Sequence, residues 1–227
     1  MTAPVLAVAG LAREARIASG AGVETIQAGG RPERLRAGLA AREGAAPRAV
    51  LSFGIAGGLD PALAPGDLVV GSGVWAEGRY HPASGDLVAR LAGRLAGWTG
   101  GRVAVADLAG SETAVTTPAA KAALRMRTGA AAVDMESQVA AAYAEERALP
   151  FAAIRVVCDP AGRALPAFAA TALKPNGDPD VAAALAALLR REARIGELIR
   201  LARDSGAAFR SLSRARALLG LALGVDA

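Results

Sequence analysis

Short apolar runs typical of buried strands alternate with segments of helical periodicity along residues 4–157. The runs that favour strands are residues 4–9, 23–28, 49–53, 67–74, 102–106, 130–133 and 151–157. The segments that favour helices are residues 31–42, 84–96, 118–127 and 135–147. Because strands that alternate with helices usually pair in parallel, the pattern predicts an α/β fold around a mainly parallel sheet.

The size and composition of the chain fit one α/β core in a reducing compartment. Its 227 residues are enough for a single large domain. No apolar run approaches the roughly 20 residues of a membrane-spanning helix. No basic segment precedes the apolar start, so we expect no secretory signal and a cytoplasmic location. Cys158 and His81 are the only residues of their types, so we expect neither a disulfide nor a metal site, and we place His81 in a loop.

The C-terminal part of the chain differs from the rest in charge. Residues 190–216 contain eight arginines and three acidic residues, and this excess equals the formal net charge of the whole chain, +5. An apolar stripe runs between the arginines and comprises Ile195, Leu198, Ile199 and Ala202, extended by Phe209 and Leu212. The pattern predicts a domain over residues 1–189 followed by a basic amphipathic helical extension over residues 190–227, which either packs on the domain or lies on an anionic membrane. We expect no nucleic-acid binding, because interleaved aromatic residues for base stacking are lacking.

Two carboxylates follow strand-like runs, and a third run leads into glycines. Glu136 lies in the segment AVDMES (132–137), and Asp159 ends the segment RVVCD (155–159). Residues 51–59 (LSFGIAGGL) predict a strand that enters a glycine-rich turn. Because a parallel sheet delivers side chains from its strand ends to one site, this order favours an enzyme that acts on the sugar–base bond of a nucleoside.

Cleavage of a ribose–purine bond builds positive charge on the sugar and negative charge on the departing base. The protein must supply an acid beside the base, an acceptor for the ribose hydroxyls and a route for the nucleophile. Asp159, at a strand end, suits the first role, and Glu136 suits the second because a carboxylate accepts from two neighbouring hydroxyls. Glu14, in the turn after the first strand, could orient or deprotonate a water molecule. Each acid could instead simply stabilise a helix N-terminus.

These motifs, together with residues 65–70 (PGDLVV), resemble those of the nucleoside phosphorylase/nucleosidase superfamily over residues 4–188. The resemblance implies a three-layer α/β sandwich with a twisted, mixed and mainly parallel sheet flanked by helices. It implies Asp159 as the catalytic residue at the purine and Glu14 as the base that activates water. The implied substrate-binding residues are Met135 and Glu136 at the ribose, Ala114 and Val115 at the purine, and Ala56 and Gly57 in the glycine-rich segment.

Two positions bear on whether the nucleophile is water or phosphate. Phosphorolytic members of the superfamily carry an arginine two residues before the first glycine of the strand-end motif and a serine or threonine just after it. Here these positions hold Ser52 and Ile55, and neither supplies the charged donor that phosphate usually receives. Hydrolysis without a cofactor is therefore favoured, and the alternative is phosphorolysis with phosphate as co-substrate.

Residues 10–18, 52–61 and 201–205 further resemble the hopanoid-associated members of the superfamily. This resemblance implies the removal of adenine from adenosylhopane, a lipid-linked nucleoside. Such a substrate would bring the C-terminal helices into peripheral contact with the anionic inner face of the membrane. The superfamily also implies a homodimer or higher oligomer. The alternative from another class is a catalytically inactive scaffold in a membrane pathway complex.

Overall fold

The computed structural model of the chain describes residues 3–165 and 195–225. The strands in these ranges are β1 (Val5–Ala9), β2 (Val23–Gln27), β3 (Ala49–Gly58), β4 (Leu68–Ala76), β5 (Arg79–Pro82), β6 (Val103–Gly110), β7 (Ala132–Asp134) and β8 (Phe151–Asp159). The helices there are α1 (Ala12–Ala18), α2 (Pro32–Ala40), α3 (Gly85–Arg94), α4 (Pro118–Thr128), α5 (Ser137–Glu146) and α6 (Ile195–Leu219), which a short 3-10 helix follows (Leu221–Gly224). The predicted alternation of strands and helices is confirmed.

The strands of the described ranges form one eight-stranded mixed sheet. Parallel pairs join β1 to β2 and β3, β3 to β8, and β6 to β4 and β7. The pairs β3–β7, β4–β8 and β4–β5 are antiparallel. Because β3, β7, β6, β4 and β8 pair in a closed cycle, the sheet curls back on itself at its centre. The predicted mixed, mainly parallel α/β fold is therefore confirmed.

Apolar side chains pack on both faces of the sheet, as the alternation of side chains along a strand requires. On β3, Val50 joins one cluster with α2 and α5, whereas Leu51 and Phe53 join the other with α1, α3 and α6. Ala140 and Ala144 of α5 are fully buried, and their small side chains allow this helix to lie close to the sheet. Helices thus cover both faces of the sheet.

Strand β3 is longer than the sequence predicts. We expect a glycine-rich turn after Phe53, but the strand continues to Gly58 beside β8, with a bulge before Gly57. The glycines leave room for side chains of neighbouring elements: a Cβ atom at Gly54 would lie 2.6 Å from Glu14 Oε1. The predicted turn is therefore wrong, because these glycines mark close approach of other groups rather than reversal of the chain.

Strand β5 and the start of α5 also differ from the prediction. His81, expected in a loop, is buried in β5, and its Nδ1 lies 2.7 Å from Glu145 Oε2. The strand is short and ends at Pro82, which an edge strand tolerates because one side needs no hydrogen bonds. Helix α5 begins at Ser137, so Glu136 is its N-cap residue rather than part of its first turn.

The C-terminal half of α6 packs in the main core, where it contacts β8 and α1. Its buried apolar residues are Ala208, Phe209, Leu212, Ala215 and Leu219. By contrast, Ile195 and Ile199 at the start of the helix are 68% and 63% exposed. The predicted boundary between residues 189 and 190 lies outside the described residues, so the division into a domain and an extension stays a prediction. None of the described helices combines the length and apolar character that crossing a membrane requires.

Candidate active site

Arg155 lies at the centre of a buried cluster of charged side chains. It projects from the middle of β8 and is fully buried. Its Nη2 lies 3.0 Å from Asp134 Oδ1, and its Nη1 lies 3.4 Å from Glu136 Oε2. It also donates to two hydroxyl groups and a backbone carbonyl, those of Ser52, Ser137 and Ile55. Because an unpaired buried guanidinium is costly, these partners are what stabilise Arg155 inside the fold.

Asp134, the last residue of β7, positions Glu136. Its Oδ1 accepts hydrogen bonds from the backbone N–H groups of Glu136 and Ser137 at 2.8 and 2.7 Å, which satisfies donors at the start of α5. The side chain of Glu136 lies against the end of β1, where a Cβ atom at Gly10 would be 2.6 Å from its Oε1. Glycine at this position therefore makes room for the carboxyl group.

Glu14 reaches the same region from the first turn of α1. Its Oε2 accepts from the backbone N–H groups of Gly10 and Leu11 at 2.8 and 2.7 Å. Its Oε1 accepts from the N–H of Ile55 at 2.7 Å, so the buried side chain joins the end of β1 to β3. Glu14 and Glu136 thus both lie beside Gly10.

Burial raises the pKa values of both glutamates. The pKa of Glu136 rises to about 8, because desolvation outweighs the positive charge of Arg155, and the charges of Asp134 and Glu14 add to the rise. Burial also raises the pKa of Glu14, against the lowering effects of Arg155 and of its backbone donors. At neutral pH the cluster therefore retains a proton. It can accept hydrogen bonds from hydroxyl groups and exchange a proton near neutral pH.

The charged cluster does not fit a metal ion. Among the described residues, no group of three or more His, Cys, Asp or Glu side chains is placed to hold one. The guanidinium of Arg155 already serves Asp134 and Glu136 as counter-ion.

Asp159 ends β8 next to Gly57 of β3. A Cβ atom at Gly57 would lie 3.3 Å from Asp159 Oδ2, so glycine leaves space beside the carboxyl group. The Asp159 side chain is buried and forms an ion pair with Lys121 of α4. Burial raises the pKa of Asp159, and the positive charges of Lys121 and Arg163 oppose the rise. A carboxyl group with a raised pKa is suited to donate a proton.

The other predicted substrate-binding residues differ in how deeply they are buried. Ala56 is buried in β3, and Met135 is half-buried in the turn between β7 and α5. Val115 packs against a small cluster that includes Val133 of β7, whereas Ala114 is exposed. Contacts between these residues and a purine or a ribose stay a prediction.

Two charged residues of the site, Arg155 and Lys121, have no role in the sequence-based prediction. Arg155 interrupts an otherwise apolar strand in the motif that ends at Asp159. Because an arginine is rarely buried without a partner, this interruption is a signal of a buried ion pair. Lys121 is one of two lysines in a chain whose positive charge is otherwise arginine. That rarity draws attention to it, but it does not identify the acid that it contacts.

A groove of about 610 Å³ opens beside the turn that follows β8. Its walls include Ala122 and Met126 of α4 and Ala161 and Gly162 of the turn. The acids of the cluster do not line it, nor does Asp159. The groove is therefore separate from the acidic cluster, which is located by its ion pairs and hydrogen bonds rather than by an open cavity.

The fold is shared with solved bacterial nucleosidases and hydrolases. Futalosine hydrolase of Helicobacter pylori gives a TM-score of 0.67 at 14% identity, and the alignment covers 96% of this chain and 98% of that one. The 5'-methylthioadenosine/S-adenosylhomocysteine nucleosidase of Neisseria meningitidis, solved in complex with methylthio-immucillin-A, gives 0.67 at 19% identity, covering 94% and 97%. The corresponding nucleosidase of Campylobacter jejuni gives 0.63 at 12% identity, covering 94% and 98%. At these identities the likeness establishes the fold alone. Among curated proteins, the sequence has no significant match.

The amino-acid sequence itself assigns the family. The profile of the phosphorylase superfamily matches residues 29–193, which is well over half of the chain. The matched region contains the whole of β3, Glu136 at the start of α5 and Asp159 at the end of β8. The chain therefore belongs to the phosphorylase superfamily.

Proposed function

We propose that this enzyme of the phosphorylase superfamily hydrolyses the N-glycosidic bond of an adenosine-type nucleoside and releases adenine. The observation that carries the proposal is the cluster in which Glu14 and Glu136 lie buried around the guanidinium of Arg155. Strand β8 carries both this guanidinium and, at its end, Asp159. The acids that the reaction needs thus come from the end of a strand and from the starts of helices that pack on the same sheet.

Each acid then has a place in the reaction. Glu136 and Met135 hold the ribose, and the carboxyl group accepts hydrogen bonds from its hydroxyls. As the bond between C1′ and the purine breaks, its electron pair moves to the base, and Asp159 donates a proton to a ring nitrogen. A water molecule attacks C1′, and Glu14 takes up one of its protons. The negative charge of the cluster stabilises the positive charge that develops on the ribose.

The purine lies between the end of β3 and the segment that follows β6. Ala56 and Gly57 border it, and the position of Gly57 beside Asp159 supports this arrangement. Ala114 and Val115 offer it backbone groups, and the packing of Val115 beside the β7 cluster supports their nearness to the site.

The charge of the cluster supports water rather than phosphate as the nucleophile. Three carboxyl groups face Arg155, those of Glu14, Asp134 and Glu136, so the cluster carries a net negative charge even with one proton retained. A phosphate dianion would therefore meet a surplus of negative charge, whereas a water molecule would not. Ser52, which stands where phosphorolytic relatives carry an arginine, is fully buried and accepts a hydrogen bond from Arg155.

Release of adenine from adenosine in phosphate-free buffer tests the proposal. We expect release without phosphate and a rate that does not change when phosphate is added. Asp159→Asn should lower kcat by about 10²- to 10⁴-fold, because it removes the acid that protonates the base. Asp60→Asn, at a partly exposed ion pair with Arg125, is the matched control and should keep full activity. Strict dependence on phosphate would instead establish phosphorolysis, and an inactive protein that still supports its pathway would be a scaffold.

We further propose adenosylhopane as the substrate and the inner face of the membrane as the place of action. The resemblance of residues 10–18 and 52–61 to hopanoid-associated relatives supports this substrate. The start of α6 exposes Ile195 and Ile199 beside the exposed Arg200 and Arg203. Because exposed apolar and basic side chains on one helix suit an anionic bilayer, this surface supports peripheral contact.

Co-sedimentation with anionic liposomes tests the membrane contact. The double variant Ile195→Ser/Ile199→Ser should bind liposomes more weakly and keep its activity on soluble adenosine, because both side chains lie on the exposed surface. Leu218→Ser, at the other end of α6 and 41% exposed, is the matched control and should bind like the wild type. Equal binding by the double variant would argue against a membrane role for this surface.

A further inference from the structure

Lys121 is fully buried in α4, and the reaction described above gives it no role. Its Nζ donates hydrogen bonds to Asp159 Oδ2, to the carbonyl oxygen of Pro160 at 3.0 Å and to that of Arg163 at 3.2 Å. An ammonium group has three N–H donors, so all of them are satisfied here. All three acceptors belong to one short segment at the end of β8.

General stability is a poor explanation for this arrangement. Burial removes both the ammonium group and the carboxyl group from water, and a buried ion pair replaced as a whole by apolar side chains of similar volume often leaves a fold as stable or more stable. Helix α4 also has apolar contacts of its own, since Leu124 packs against the cluster that contains Leu59 and Val133. By contrast, one partner of Lys121 is the carboxyl group of Asp159, which the proposed function places at the purine. The geometry therefore points to a role at Asp159.

We propose that Lys121 is a positioning residue that fixes the carboxyl group of Asp159 at the end of β8, facing the departing base. The inference rests on the proposed function, because that function gives Asp159 its place at the purine. Lys121 binds Oδ2 and the carbonyl groups of the following turn, while Gly57 of β3 leaves the neighbouring space open. The carboxyl group and its turn are thereby held in one arrangement before substrate binds, which favours proton transfer along a short path.

Lys121 also influences when Asp159 carries a proton. In the described ranges, the charged groups that act on Asp159 are Lys121 and Arg163. The charge of Asp159 in turn raises the pKa of the neighbouring Cys158 thiol, and β3 presents the uncharged Gly57. Arg163 is itself paired with Asp204 of α6. Burial raises the pKa of Asp159, and the charge of Lys121 is the strongest opposing influence. Without Lys121 the acid would keep its proton to higher pH.

The pH dependence of adenine release by the full chain tests the inference. Lys121→Met should lower kcat at least about tenfold, because the acid is no longer held in place. It should also move the basic limb of the pH–rate profile to higher pH, by about one pH unit or more. Lys121→Arg keeps the charge and should restore part of kcat with the limb near its wild-type position. Arg125→Met removes an ion pair of the same helix with Asp60 and should change neither quantity.

A double-variant comparison separates positioning from a structural effect. In the Asp159→Asn background, Lys121→Met should change kcat by less than about twofold, because its partner is already absent. If the two substitutions lowered kcat independently, so that their effects multiplied in the double variant, the inference would be overturned. An unmoved basic limb in Lys121→Met would also overturn it. If Lys121→Met does not fold, Lys121→Gln takes its place, and failure of both to fold would make Lys121 a structural residue and overturn the inference. An active wild type with an unaffected Lys121→Met contradicts this inference alone, whereas a wild type inactive with and without phosphate contradicts the proposed function as well.

Discussion

At the scale of single residues, the proton retained by Glu136 has a consequence for stability. Burial raises its pKa to about 8 in the folded state, from an ordinary value of 4.5. A carboxyl group whose pKa is raised by folding stabilises the fold fully below its unfolded pKa, and this contribution is lost as the pH rises through the folded pKa. We therefore expect the free energy of unfolding to fall by up to about 1.4 kcal/mol for each pH unit between about pH 5 and pH 8.

Urea denaturation at several pH values measures this slope. Glu136→Gln cannot ionise, so its free energy of unfolding should depend less on pH over the same range. Glu33→Gln, at an exposed position in α2, is the matched control and should keep the wild-type slope. An unchanged slope in Glu136→Gln would assign the retained proton to another group, with Glu14 the first candidate because burial also raises its pKa.

The acids of the candidate site can be named from the sequence, because each ends or follows a strand-like run and a parallel sheet delivers side chains from its strand ends to one edge. Glu14, Glu136 and Asp159 are named on that basis, although their roles in the reaction stay predictions. The pairing of Lys121 with Asp159 is different. It joins residues 38 positions apart, and it depends on how α4 packs against the turn after β8. No periodicity or motif encodes such a contact.

At the scale of elements, the glycines of β3 determine how closely the charged side chains approach the strand. A Cβ atom at Gly54 would lie 2.6 Å from Glu14 Oε1 and 2.7 Å from Arg155 Nη1. Gly54→Ala must therefore displace a buried charged group. We expect it to lower the free energy of unfolding by about 1–3 kcal/mol and kcat by at least about tenfold. Urea denaturation and adenine release measure the two effects.

Gly93→Ala is the matched control for this substitution. Gly93 lies on the exposed side of α3, and a Cβ atom there meets nothing within 4 Å. Alanine should therefore leave activity unchanged and stabilise the helix by up to about 1 kcal/mol. If Gly54→Ala behaved like Gly93→Ala, the close contact between β3 and the charged cluster would not constrain the site.

The same glycines explain why one element is harder to predict than its neighbours. Glycine after a strand usually indicates a turn, and this rule ends β3 at Phe53, whereas the strand continues to Gly58. The rule fails because the glycines leave space for side chains of α1 and β8, which are remote in sequence. Strand β5 is missed for a local reason, since its four residues, which end at Pro82, are too few to show the alternation of apolar and polar residues that predicts a strand.

At the scale of the whole molecule, alternation predicts the order of elements and the mainly parallel sheet, but not the closure of that sheet. Closure requires β3 to pair with β7 on one side and with β8 on the other, and β4 to pair with β6 and β8. These registers are set by long-range packing rather than by any single segment. They matter for the proposed function, because they place Gly57 beside both Val133 and Asp159.

The packing of α6 determines whether the chain unfolds as one unit. Leu212 is fully buried in the cluster that also contains Leu51, Ile154 and Leu91 of the sheet and α3. Leu212→Ala should therefore lower the free energy of unfolding by about 2–5 kcal/mol, because it leaves a cavity in the main core. Leu218→Ala, on the partly exposed side of the same helix, should cost less than about 1 kcal/mol.

Circular dichroism and intrinsic fluorescence in urea should give one coincident transition for both variants, since residues 208–225 share the core of the sheet. Two separate transitions, with Leu212→Ala moving only one of them, would instead support the predicted division into a domain and an independent C-terminal extension.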